Sequence, residues 1–69
     1  MNVIPLTLPD DLAAWMREHG PVETTAAGYA CVVTADAIAV DGMPDDDLSA
    51  AMAASAPGWV RGWMDADAP

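Results

Sequence analysis

The stretch Asp41-Gly42-Met43-Pro44-Asp45-Asp46-Asp47-Leu48 places four carboxylates in eight residues, with no base among them. Carboxylates at this density do one of three things: they ligate a hard cation, share protons in acid–base catalysis, or hold a negative surface against a positive one. A calcium loop of the EF-hand kind needs oxygen donors at alternate positions before its glycine and a bidentate Glu at its end. Counting back from Gly42, Asp41 fits, but Ala39 and Ala37 carry no donor and no Glu closes the loop. No metal site is expected. General acid chemistry needs a carboxyl desolvated in a pocket, and a chain of 69 residues has little room for one.

The remaining reactive side chains are His19 and Cys31, each the only one of its kind. A nucleophile and its base must lie within hydrogen-bond reach and need a third group to orient the base, and none is evident here. His19 is expected to meet the free carbonyls of a helix end, and Cys31 to serve as a small apolar residue in a core strand. One thiol cannot close an intramolecular disulfide, and with one histidine it cannot make a structural zinc site. There is no glycine-rich phosphate loop, nucleophile elbow or basic patch. No catalytic residue, cofactor or enzymatic activity is expected.

A fixed negative surface is what is left, and helix starts explain part of it. One acid caps the free N–H groups and a second gains from the macrodipole, each by roughly 0.3–1 kcal/mol. A third repels the first two and adds little, because consecutive residues fan out by about 100° around a helix and cannot all serve the same N–H groups. Asp45, Asp46 and Asp47 therefore exceed what capping uses.

The elements that carry these residues follow from periodicity. Val3 to Leu8 reads as a strand, confined to an edge or shortened by Pro5. Leu12, Trp15, Met16 and His19 fall at i, i+3, i+4 and i+7 of a helix opened by Asp10 and Asp11 and stopped by Gly20-Pro21. Val22 to Gly28 is either loop or the start of a strand. Tyr29–Thr34 and Ala37–Val40 form a hairpin around Ala35-Asp36. Asp45 to about Ser55 is a second helix, interrupted by Pro57-Gly58, and Trp59 to Met64 is a short third helical segment. The expected fold is α+β, order β-α-β-β-α, with a three-stranded mostly antiparallel sheet on two helices and a short C-terminal helical segment. Residues 1–64 are expected as a single compact domain, and 65–69 as a frayed acidic tail.

Composition narrows the partner. Eleven acids face two bases, Arg17 and Arg61, for a formal charge of −9. That exceeds the magnitude of about 2–8 that serves solubility in a small domain. It excludes nucleic acid and anionic membrane as direct partners and makes a basic protein surface the natural complement. No apolar run approaches the roughly 20 residues of a membrane span, and prolines at 5 and 9 break the apolar N-terminus, so a cytoplasmic protein is expected. The apolar content of 54% and three tryptophans argue for a folded domain over disorder.

In size, charge and lack of catalytic motif, the chain resembles the small acidic proteins that phages and mobile elements encode against host defence, including anti-CRISPR proteins that mimic DNA. The resemblance covers the whole chain as a profile and matches no family motif. It implies a stoichiometric inhibitor bound to a basic DNA-binding protein or a CRISPR effector subunit in the host cytoplasm. Asp10, Asp11, Asp36, Asp41, Asp45, Asp46 and Asp47 would then stand where DNA phosphates stand. The competing expectation is a small acidic interaction module, antitoxin-like or an accessory subunit, anchored by Trp59 and Trp63 with Arg61 between them; the other role for the two tryptophans, and the one favoured, is to close the bottom of the core.

Overall fold

A computed structural model describes residues 1–67. The chain runs β1 (Asn2–Pro5), α1 (Asp10–His19), β2 (Val22–Ala26), β3 (Tyr29–Val33), β4 (Ala37–Asp41) and α2 (Asp46–Asp67). The four strands form one antiparallel sheet in the order β1-β4-β3-β2. The fold is α+β, as the periodicity indicates, with one strand more than expected.

The added strand is β2. Val22, Thr24 and Ala26 face the core and Glu23 and Thr25 face out, a two-residue alternation written in small, weakly apolar side chains. Ala27 and Gly28 turn the chain into β3 with φ of 51° and 83°. Positive φ at both central residues marks the mirror-image turn that suits a two-residue hairpin. Alanine is a poor residue for that conformation, so the turn carries no sequence signal at its first position. At the other hairpin, the Thr34 N–H donates to the Ala37 carbonyl at 2.9 Å and the Thr34 hydroxyl oxygen accepts from the Ala37 N–H at 3.1 Å.

The helices cover one face. α1 starts after the β1 edge and ends before the β2 edge; three strand spacings are about 14 Å and ten helical residues span about 15 Å. Leu12 and Met16 from α1, Val33, Ile38 and Val40 from the sheet, and Val60 from α2 form the fully buried centre. Cys31 is buried beside them. Gly20 ends α1, its N–H donating to the Met16 carbonyl at 2.7 Å, and a Cβ there would lie 2.6 Å from that same oxygen.

α2 corrects a second expectation. It is one helix through Pro57 rather than two pieces. Pro57 removes a backbone donor and crowds the preceding turn, at a typical cost of about 3 kcal/mol. Ala56 and Val60, both fully buried, hold the segments on either side against the core and offset that cost. Asp65 to Asp67 are also helical, where a frayed tail was expected; Ala68 and Pro69 lie outside the described residues. Half-buried Met64 packs on the core, and Asp67 meets His19 at 3.3 Å.

Candidate interaction surfaces

The seven predicted aspartates divide between the two ends of the β1–β4 strand pair. Asp41 ends β4, and Asp45, Asp46 and Asp47 open α2, so these four share one end. Asp36 precedes β4 by one residue, five strand positions from Asp41, or about 16 Å. Its carbonyl accepts the Leu6 N–H at 2.9 Å, which places it beside the segment leading to Asp10 and Asp11. Asp11 lies 3.5 Å from Arg61, fifteen helical residues along α2 from Asp46, or about 22 Å. All seven of these predicted aspartates are exposed.

Their local roles differ. Asp45 is the cap of α2: its Oδ1 accepts the Leu48 N–H at 2.7 Å, and its carbonyl accepts the Ser49 N–H at 2.8 Å. Asp46 and Asp47 follow in the first turn and keep only the dipole term. At α1 the expectation of an aspartate cap does not hold. Pro9 occupies the cap position without a side-chain hydrogen bond, because Asp10 and Asp11 are already inside the helix. Asp11 Oδ1 accepts from the next residue's N–H at 2.9 Å instead. Among the described residues, no three His, Cys, Asp or Glu side chains gather as a metal site.

His19 sits at the end of α1, stacked on Trp15 with ring centroids 4.4 Å apart. Its Nδ1 donates to the Trp15 carbonyl at 3.0 Å, and Nε2 faces Asp67. These are the contacts of a helix end, and both the His19 and Asp67 side chains are more than a third exposed, so their contact adds little stability.

Trp59 and Trp63 are half-buried, with part of each ring packed on the core. Their outer parts wall a cleft of about 470 Å³ between α2 and β2, bounded by Thr24, Ala26, Gly58 and Gly62. A Cβ added at either glycine would meet nothing within 4 Å. The sequence singled out the two tryptophans but not the glycines beside them or the strand opposite. The alternation of Val22, Thr24 and Ala26 was the signal for that strand.

The sheet face away from the helices is uncovered. Register aligns Val3, Ala39, Val32 and Glu23 in one row across it, and Val3 is 64% exposed. A shallow hollow of about 450 Å³ lies there, floored by Ala30 and Ala39 and rimmed by Glu23 and Asp41.

No family model, curated protein or solved structure matches this chain. Among the described residues, no helix is long and apolar enough to cross a membrane.

Proposed function

We propose that this chain is a non-enzymatic acidic inhibitor that occupies a basic, nucleic-acid-binding surface of another protein, its carboxylates standing in for phosphates. The observation that supports the reading is the Asp41/Asp45–Asp47 end. Four exposed carboxylates are mounted there on a strand end and a helix start, and only Asp45 is used by the fold. A preordered array loses little entropy on binding, and rows of Lys and Arg that track a DNA backbone are its complement. A host-defence effector of the CRISPR kind is the partner class that the chain's profile suggests. Asp11 pairs with Arg61, fifteen residues or about 22 Å along α2 from Asp46, and stands apart from this array. The array is therefore a short patch at the start of α2 rather than a ridge along it.

The test spares Asp45, whose loss would also weaken α2. Asp41→Asn, Asp46→Asn and Asp47→Asn together keep shape and remove three charges. Immobilised chain should capture a nuclease or effector subunit, release it to duplex DNA or to a rise in salt, and lose it in the triple variant. Equal capture by the triple variant, or capture indifferent to both salt and DNA, overturns the reading.

A further inference from the structure

The two free edges of the sheet present different backbone groups. In an antiparallel ladder, hydrogen-bonded and non-bonded pairs alternate. The two-residue turn at Ala27-Gly28 makes Ala26 and Tyr29 a bonded pair, and with the register Thr24–Cys31 and Val22–Val33 follow as bonded pairs. Glu23 and Thr25 therefore direct their N–H and C=O groups away from β3, and Thr25 lines the cleft beside Trp59 and Trp63. β2 contains no proline and no lysine, and its single charge is Glu23.

We propose that the cleft between β2 and the Gly58–Trp63 stretch of α2 is a docking site for an extended, basic peptide segment of a partner protein. The segment adds to β2 as a fifth strand. Its backbone pairs with Glu23 and Thr25, alternate apolar side chains enter the cleft against Trp59 and Trp63, and the intervening basic side chains lie on the Glu23 side.

A row of outward N–H and C=O groups is complemented by another extended backbone, and a helix beside the edge supplies the pocket for alternate side chains. Gly58 and Gly62 leave the helix backbone bare where that strand would pass, and each weakens α2 by about 1 kcal/mol relative to alanine. Charge selects the occupant. Two copies of this chain would bring together two molecules of formal charge −9, with both Glu23 side chains near the same rungs. A basic segment meets attraction at the same places. The cleft is separate from the Asp41/Asp45–Asp47 patch, so the proposal does not rest on phosphate mimicry.

The test uses the capped peptide Arg-Val-Arg-Val-Arg and a form N-methylated on its edge-facing amides, titrated into 15N-labelled full-length chain at physiological salt. Shifts are expected at the Glu23, Thr25, Gly58 and Gly62 amides and the Trp59 and Trp63 indoles. N-methylation should weaken binding by about tenfold or more, since it removes the strand pairing and keeps the charge. Gly62→Leu should fill the cleft with the same loss while its circular dichroism shows an intact helix. Four results would each overturn the proposal: no binding, equal binding of the methylated peptide, undiminished binding by Gly62→Leu, or shifts centred on Asp41 to Asp47. Sedimentation showing the free chain to be a dimer through β2 would also overturn it, by making a second copy the occupant.

Discussion

β1 and β2 are both edge strands of one sheet, and they solve the same problem differently. β1 has Pro5 at an outward-facing position, so one donor is missing where a neighbouring strand would need it. The chain also returns beside it: the Asn2 side-chain amide donates to the Gly42 carbonyl at 2.7 Å, and Met43 and Pro44 face Val3 across a groove of about 440 Å³. β2 has neither device, and beside it the helix thins to two glycines. Edge strands left open invite pairing, and small proteins usually blunt them. β1 is the more closed edge, short of one donor and tied to the return segment, and β2 the more open one; the proposed strand addition rests on that asymmetry.

The comparison can be broken from either side. The largest effect is expected at the closed edge. Gly42 has φ of 135°, and a Cβ there would lie 2.6 Å from the Tyr29 ring. Gly42→Ala should cost about 2–4 kcal/mol and pull the return segment off β1, read as a lowered urea midpoint. A domain of this size has only a few kcal/mol to lose, so partial unfolding at room temperature is the expected appearance. A loss below 0.5 kcal/mol, on the order of ordinary surface changes, would mean that Gly42 does not hold that return. The next effect is at the open edge. Ala27 has φ of 51°, a conformation that glycine or asparagine adopts more readily. Ala27→Asn should stabilise the β2–β3 hairpin by about 0.5–1 kcal/mol and raise Tm by a few degrees. An unchanged or lower Tm would contradict the mirror-image turn. The smallest change in stability is expected for Pro5→Thr, within about 0.5 kcal/mol. Its consequence is recognition: with the donor restored, β1 should begin to take up strand-forming peptides, seen as shifts at Val3. If β1 stays inert, the return segment rather than the proline protects it.

α1 was legible because Leu12, Trp15 and Met16 recur at helical spacing between strong boundary residues. β3 and β4 were legible because β-branched Val33, Ile38 and Val40 face the core and alternate with Val32, Ala37 and Ala39 on the other face. β2 was not, because Thr24 and Ala26 bury little apolar surface and Ala27 belies its turn; pairing with β3 decides its state. The continuity of α2 through Pro57 was also hidden, since local propensity argues for a break and only the burial of Ala56 and Val60 overrides it. The positions of the acids on turns and helix starts could be read directly. Their division into two ends could not, because it depends on the length of an uninterrupted α2. The cleft beside Trp59 and Trp63 was invisible for a related reason: one of its walls is the strand that the sequence conceals.

Cys31 gives the molecule an internal clock. Its sulfur is sealed between sheet and helices and donates weakly to the Tyr29 carbonyl at 3.4 Å. No other thiol exists in the chain. A thiol-reactive dye can therefore react only during excursions that part the helices from the sheet, and the colour it develops counts them without any label having been introduced.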